Sequence, residues 1–198
     1  MKPILIGVPV ECKDGRCGKV KAAVLDPATM SLSMIVVESH SGLSHLDVLV
    51  PMSRVADSSM EHVALDLSRD QLALMEPYLV RRYISTALHD EVLSSAAGLG
   101  ATFPSLVSDT VEADVDDALT PAGHVVFGHG CDAYAQDEKV GIVAGFGVEA
   151  TTHVLTHVFI DHGHAWHRTR TVLPAEKIAG TEGNTVNLSL GKHELESM

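Results

Sequence analysis

Apolar residues alternate with other residues over short stretches of this chain, and turn formers separate the stretches, which is the period-two pattern of half-buried β-strands. Val8 and Val10 alternate ahead of Asp14-Gly15, a dipeptide suited to the positive φ angles of a tight hairpin, and the chain resumes at Gly18. Asp26-Pro27 marks a second turn, Met34 to Val37 is an apolar run of β formers, and Val48 to Val50 closes on Pro51, which cannot donate to a central ladder. Val63, Leu65 and Leu67 alternate as a last strand, and Ser68 to Met75 reads as a capped helical turn. Five or six short strands in about 70 residues suit a small barrel better than an open sheet, because closure removes sheet edges.

The same pattern recurs. Sliding the chain on itself by 123 positions lays residues 4 to 75 over 127 to 198 without a gap, with thirteen identities over 72 positions. The matches fall where turns and strands need them: Gly7 on Gly130, Asp14 on Asp137, Gly18 on Gly141, Val20 on Val143, Leu32 on Leu155 and Pro51 on Pro174. Val63, Leu65 and Leu67 fall on Val186, Leu188 and Leu190, and Leu72 and Met75 fall on Leu195 and Met198. The expected fold is therefore mainly β, two small antiparallel barrels in tandem, with short helical turns and an irregular connecting arm.

The first copy, through Gly7-Val8-Pro9-Val10, Asp14-Gly15-Arg16-Cys17-Gly18-Lys19-Val20, Asp26-Pro27, Val48-Leu49-Val50-Pro51 and Val63-Ala64-Leu65-Asp66-Leu67, resembles the PRC-barrel domain. That family is named for the cytoplasmic domain of the photosynthetic reaction centre H subunit and includes the carboxy-terminal domain of the bacterial ribosome maturation factor. The second copy resembles it through Thr156-His157, Gly163-His164-Ala165-Trp166 and Val172-Leu173-Pro174, and departs from it where Glu138 replaces the hairpin glycine and Ala133 a usual valine. These motifs are turn glycines and strand patterns, so the resemblance implies a fold and says little about chemistry. It implies docking onto other proteins, because the family's known barrels dock onto reaction-centre subunits in one case and a ribosomal protein in the other.

The expected organisation is a first barrel over 1–76, an arm over 77–123 and a second barrel over 124–198. Within the arm, Arg81 to Leu93 suits a short helix before Gly98, Gly100 and Pro104 break it, and Val111 to Asp117 suits a mobile acidic stretch on the surface. The arm is expected to pack the barrels together as a pseudo-twofold pair.

Composition narrows the partners. Fourteen basic against 26 acidic residues give a formal charge of −12, which repels phosphate backbones and disfavours broad nucleic-acid binding. The apolar run within Met1 to Val10 is too short for a signal peptide or a membrane span, so a bacterial cytoplasmic location without membrane attachment is expected. The chain has no G-x-S-x-G elbow and no phosphate-binding glycine loop. Gly145-Phe146-Gly147 stands alone in a strand-rich setting, and Asp116 and Asp117 lie in the acidic arm.

Two clusters remain. A two-residue Asp14-Gly15 turn would set Cys12 opposite Cys17 in the closest kind of cross-strand pair, where a disulfide is geometrically feasible. A reducing cytosol favours free thiols there, while Lys13, Arg16 and Lys19 would lower a thiol pKa, so Cys12 and Cys17 are a candidate redox pair. Of twelve histidines, five are His153, His157, His162, His164 and His167. If the strand reaches back to His153, that residue and His157 share a face about 13 Å apart, too far to share an ion. His162, His164 and His167, with Asp161, fall in an expected loop that could converge on zinc or nickel. His157, Phe159 and Asp161 form the mixed face of a strand whose other face is Thr156, Val158 and Ile160, so His157 and Phe159, with Trp166 in the next loop, are candidate interface residues.

The reading is a non-enzymatic interaction or assembly module with one or more protein partners, and homo-oligomerisation is open to it. A metal- or pH-sensing protein using the histidine loop is the alternative, and a ribosome-biogenesis accessory factor is the second.

Overall fold

The computed structural model describes residues 1–41, 44–85, 112–118, 121, 123–135, 138–164, 167–182, 185–191 and 194, with backbone alone for 40–41, 44–45, 79–85, 112–118, 164, 167–168 and 182. The protein is mainly β and is built on two curled half-barrel sheets. Its strands are β1 (Lys2–Leu5), β2 (Pro9–Cys12), β3 (Gly15–Asp26), β4 (Ser31–Ser41), β5 (Ser44–Pro51), β6 (Val55–Ser58) and β7 (Val63–Leu65), followed by helix α1 (Arg69–Ala73). After β8 (Leu79–Ser85) and β9 (Glu112–Ala118) come β10 (Val125–Gly128), β11 (Asp132–Ala135), β12 (Glu138–Val148), β13 (Leu155–His164), β14 (His167–Pro174), β15 (Ile178–Glu182) and β16 (Thr185–Leu188).

One sheet runs β5-β4-β3-β2-β7-β6 and the other β14-β13-β12-β11-β16-β15, the same order with matched elements that begin 122 to 124 residues apart, 123 at Pro9 and Asp132 and at Ser44 and His167. Shared glycines have shared causes. Gly7 and Gly130 hold φ of 88° and 84°, where an L side chain is strained. At Gly18 and Gly141 a Cβ would strike the carbonyl oxygen of Glu38 and of Asp161, on the neighbouring strand of each sheet.

Each sheet takes a strand from the other half of the chain. β1 pairs antiparallel with the end of β12, Lys2 opposite Val148 through Leu5 opposite Gly145. β10 pairs with the end of β3, Val125 opposite Leu25 through Gly128 opposite Ala22. Ile4, fully buried on β1, and Phe127, fully buried on β10, enter one apolar core with Val20, Ile35, Phe146 and Val158. Phe127 meets Phe146 with ring centroids 5.2 Å apart. Burying a side chain such as Ile4 contributes about 1.5–3 kcal/mol. The Lys2 ammonium also donates to the Ala56 carbonyl on β6 at 3.1 Å. Met1–Tyr78 and Thr120–Met198 consequently form one compact unit. Residues 1–76 and 124–198 do not close as two separate barrels, because the opening strand of each completes the other's sheet.

Several local expectations hold. Ser68 caps α1 in a reciprocal box with Gln71, and Asp26 closes the turn before β4 by accepting from the Ala28 amide and the Thr29 hydroxyl, both at 2.9 Å. Others are corrected. The first hairpin turns at Lys13-Asp14, with Gly15 opposite Cys12, and a bulge between the Val10–Gly18 and Glu11–Arg16 pairs absorbs Cys17.

Leu79–Leu119 forms a second unit. There β8 and β9 make an antiparallel ladder from Leu79 opposite Ala118 to Ser85 opposite Glu112. Residues 81–85 are thus strand and not helix, and the acidic stretch is its paired partner, with Arg81 in register with Asp116. Residues 86–93 of the expected helix lie outside the described residues.

Candidate functional site

The expected histidine loop is a hairpin. β13 and β14 stay in register to its tip, where His164 is paired with His167, so His162, His164 and His167 all belong to strands. The side chains of His164 and His167 lie outside the described residues, as do Ala165 and Trp166. His162 Nε2 is 2.7 Å from Thr171 Oγ1. Asp161 accepts both bonds of a fork from Arg170, Nε to Oδ1 at 2.6 Å and Nη2 to Oδ2 at 2.9 Å. Neighbours on a strand point to opposite faces, so Asp161 and His162 diverge. Among the described residues, no three histidine, cysteine or carboxylate side chains gather as a metal set. His153 is not on the strand. It occupies the preceding turn with φ of 58°, and β13 starts at Leu155.

The Asp161–Arg170 pair borders a cleft of about 130 Å³, whose other walls include Ile6, His129, Ile142 and Ala144. The positions 123 residues earlier show how the cleft arises. In the first sheet Glu38 is in register with Asp47, and each acid is matched by a lysine of β3, Lys19 to Glu38 at 3.2 Å and Lys21 to Asp47 at 2.5 Å. In the second sheet the register pair is Asp161 and Arg170, and the lysine positions hold Ile142 and Ala144. One cross-strand ion pair replaces two, and the floor becomes apolar. Asp161 holds the Arg170 guanidinium above its ordinary value by accepting its hydrogen bonds, and the fork joins β13 to β14. Arg170 and His129 carry no sequence motif. The signal for Arg170 was the hairpin register that sets it opposite Asp161.

The candidate interface residues part company. His157 is half-buried, its Nδ1 3.1 Å from the Thr156 hydroxyl. Phe159 is only 2% exposed, so the mixed face is closed at that position. Cys12 and Cys17 form a disulfide with Cα atoms 5.9 Å apart, both side chains buried. Of the nearby basic groups, Lys13 is bound to Asp66 at 2.5 Å and Lys19 to Glu38. The third cysteine, Cys131, is free and buried, and desolvation pushes its thiol up to about 12. Among the described residues, no helix is long and apolar enough to cross a membrane. No protein-family model matches the chain, and none of the curated proteins compared with it matches either.

Proposed function

We propose that this chain is a non-enzymatic protein-interaction or assembly module of the cytoplasm, a tandem pair of PRC-barrel-type halves fused by strand exchange. Supporting the tandem reading are the common strand order and the 123-residue spacing of elements. One observation carries the interaction reading. Leu49 on β5 is 4% exposed, whereas Val172, 123 residues later on β14, is 44% exposed on an otherwise matching scaffold. An edge strand with such a side chain open also presents unpaired ladder groups, a ready template for another chain.

The test is a photo-crosslinking residue placed singly at Val172, Leu46 and Leu74, all exposed apolar positions, in the producing cell. A discrete protein adduct from at least one of them is expected. No adduct from any of the three overturns the interaction reading.

A further inference from the structure

In the first sheet the outer edge of β5 is occupied. The Leu49 N–H donates to the Glu76 carbonyl and the Tyr78 N–H donates to the Asp47 carbonyl, both at 2.8 Å, with Pro77 bridged antiparallel to Val48. Proline fits the middle position, which no ladder bond asks to donate. Tyr78, half-buried, packs on Ala22, Val24, Val36 and Leu49. Three residues thereby turn an edge strand into an inner one.

β14 stands at the same edge of the second sheet. Its register against β13 repeats that of β5 against β4: Asp161 opposite Arg170 as Glu38 is opposite Asp47, and Phe159 opposite Val172 as Val36 is opposite Leu49. The Arg170 carbonyl and the Val172 N–H are therefore the groups turned outward, and among the described residues no backbone group outside the β13 ladder bonds them.

We infer that the β14 edge binds an extended protein segment with the chemistry of Glu76-Pro77-Tyr78: an acidic residue, a proline and an aromatic, added antiparallel as a further strand. The inference rests on the interaction-module reading and names its partner class. The molecule supplies the template, because the edge with the matching register in the first sheet already holds such a segment by two main-chain bonds. Charge does not oppose the second edge. Arg170 stands where Asp47 stands, so an acidic segment meets no carboxylate at that position, and the bound strand gains main-chain bonds without displacing any described one.

The test is fluorescence anisotropy with a labelled peptide of the sequence Leu74 to Val80, titrated with the full chain. Saturable binding is expected, weakened about tenfold or more by Val172→Pro, which deletes the outward N–H and leaves the inward β13 bonds. The same peptide N-methylated at the tyrosine amide, which cannot donate to the Arg170 carbonyl, should lose binding to the unaltered protein, so the test does not depend on the variant's folding. No saturation up to about 1 mM, or equal affinity for the N-methylated peptide, overturns the inference. So does a dimer in light scattering that Val172→Pro splits, since the edge would then belong to a second copy. Should the peptide fail while the Val172 crosslinker still captures a protein, the partner class falls and the interaction reading stands.

Discussion

Met30 and His153 share a left-handed backbone, with φ of 50° and 58°, and each accepts a hydrogen bond across the boundary between the two halves. The Leu32 N–H donates to the His153 carbonyl at 3.0 Å, the Leu155 N–H donates to the Met30 carbonyl at 2.8 Å, and Ser31 is bridged to Val154 between them. The bonds are reciprocal, and the two acceptors lie 123 residues apart, each just ahead of its strand, β4 or β13. An L residue in this conformation costs about 1–2 kcal/mol, so the bridge keeps strain at both acceptors. The two should respond differently to glycine. His153→Gly is expected to raise stability by about 1 kcal/mol in urea unfolding, after the entropy cost of glycine. Met30→Gly should bring no gain, because Met30 also packs against the core. Equal gains at both sites would show that the Met30 side chain contributes nothing.

Strand exchange sets what a break in the connection does. With a protease site inserted within residues 98–105 and cleaved, the fragments should remain together on a sizing column and part only in denaturant, because β1 is held by β12 and β10 by β3. Ile4→Ala, at a fully buried position on β1, should destabilise the intact chain by about 2–5 kcal/mol. It should do so in one cooperative transition. Fragments that separate in native buffer, or a variant that unfolds in two steps, would show that the halves are held independently.

How much was legible beforehand depends on the range of the interaction. Gly18 and Gly141 could be matched from the sequence because each answers a local demand, a close approach by the next strand. The Ser68 cap and the Asp26-Pro27 turn were readable for the same reason. Exchange of β1 and β10 was not, since nothing in Lys2–Leu5 distinguishes pairing with β3 from pairing with β12. Residues 81–85 were mistaken for helix because their strand character lies in a ladder with β9 more than 25 residues away. The histidine hairpin reads as a loop in the sequence because no Gly or Asn of the kind that marks a tight turn stands between His164 and His167. That error hid Arg170 as the partner of Asp161, and with it the candidate site. The ladder partner of Cys12 falls two residues from Cys17, at Gly15, because the turn sits one residue earlier than Asp14-Gly15 and a bulge leaves no trace in the alternation.

Cysteine chemistry gives a count that can be checked. In native buffer at pH 8 a thiol reagent should find almost nothing, because Cys12 and Cys17 are joined and the Cys131 thiol, pushed up to about 12, is nearly all protonated and buried. One thiol should appear on denaturation and three after reduction as well. Reduction should lower stability by about 2 kcal/mol, the loop-closure contribution for so short a span, and Cys12→Ser with Cys17→Ser should abolish that sensitivity to reductant. Three reactive thiols in unreduced, denatured protein would remove the disulfide from the account.

The acid limb of stability should report the same bridge that Met30 and His153 form. Asp26 is held below its ordinary value of 3.8, first by the Thr29 hydroxyl and then by the Ala28 amide, and Asp66 is held low by Lys13. Each carboxyl binds a proton less readily folded than unfolded. The stabilisation is therefore present above the ordinary carboxylate range and is lost as pH falls through the lower folded value. Carboxyl NMR titration should place both midpoints below 3.8. Thr29→Val should raise that of Asp26 and leave that of Asp66 unmoved, whereas Lys13→Met should do the reverse. The turn closed by Asp26 leads directly into Met30, whose carbonyl accepts the Leu155 N–H. Thr29→Val should consequently speed hydrogen exchange at the Leu155 amide, in the opposite half of the chain, more than at the Val20 amide, which bonds to Val8 within its own half. Unchanged exchange at Leu155 would separate the turn from the bridge and leave Asp26 a purely local cap.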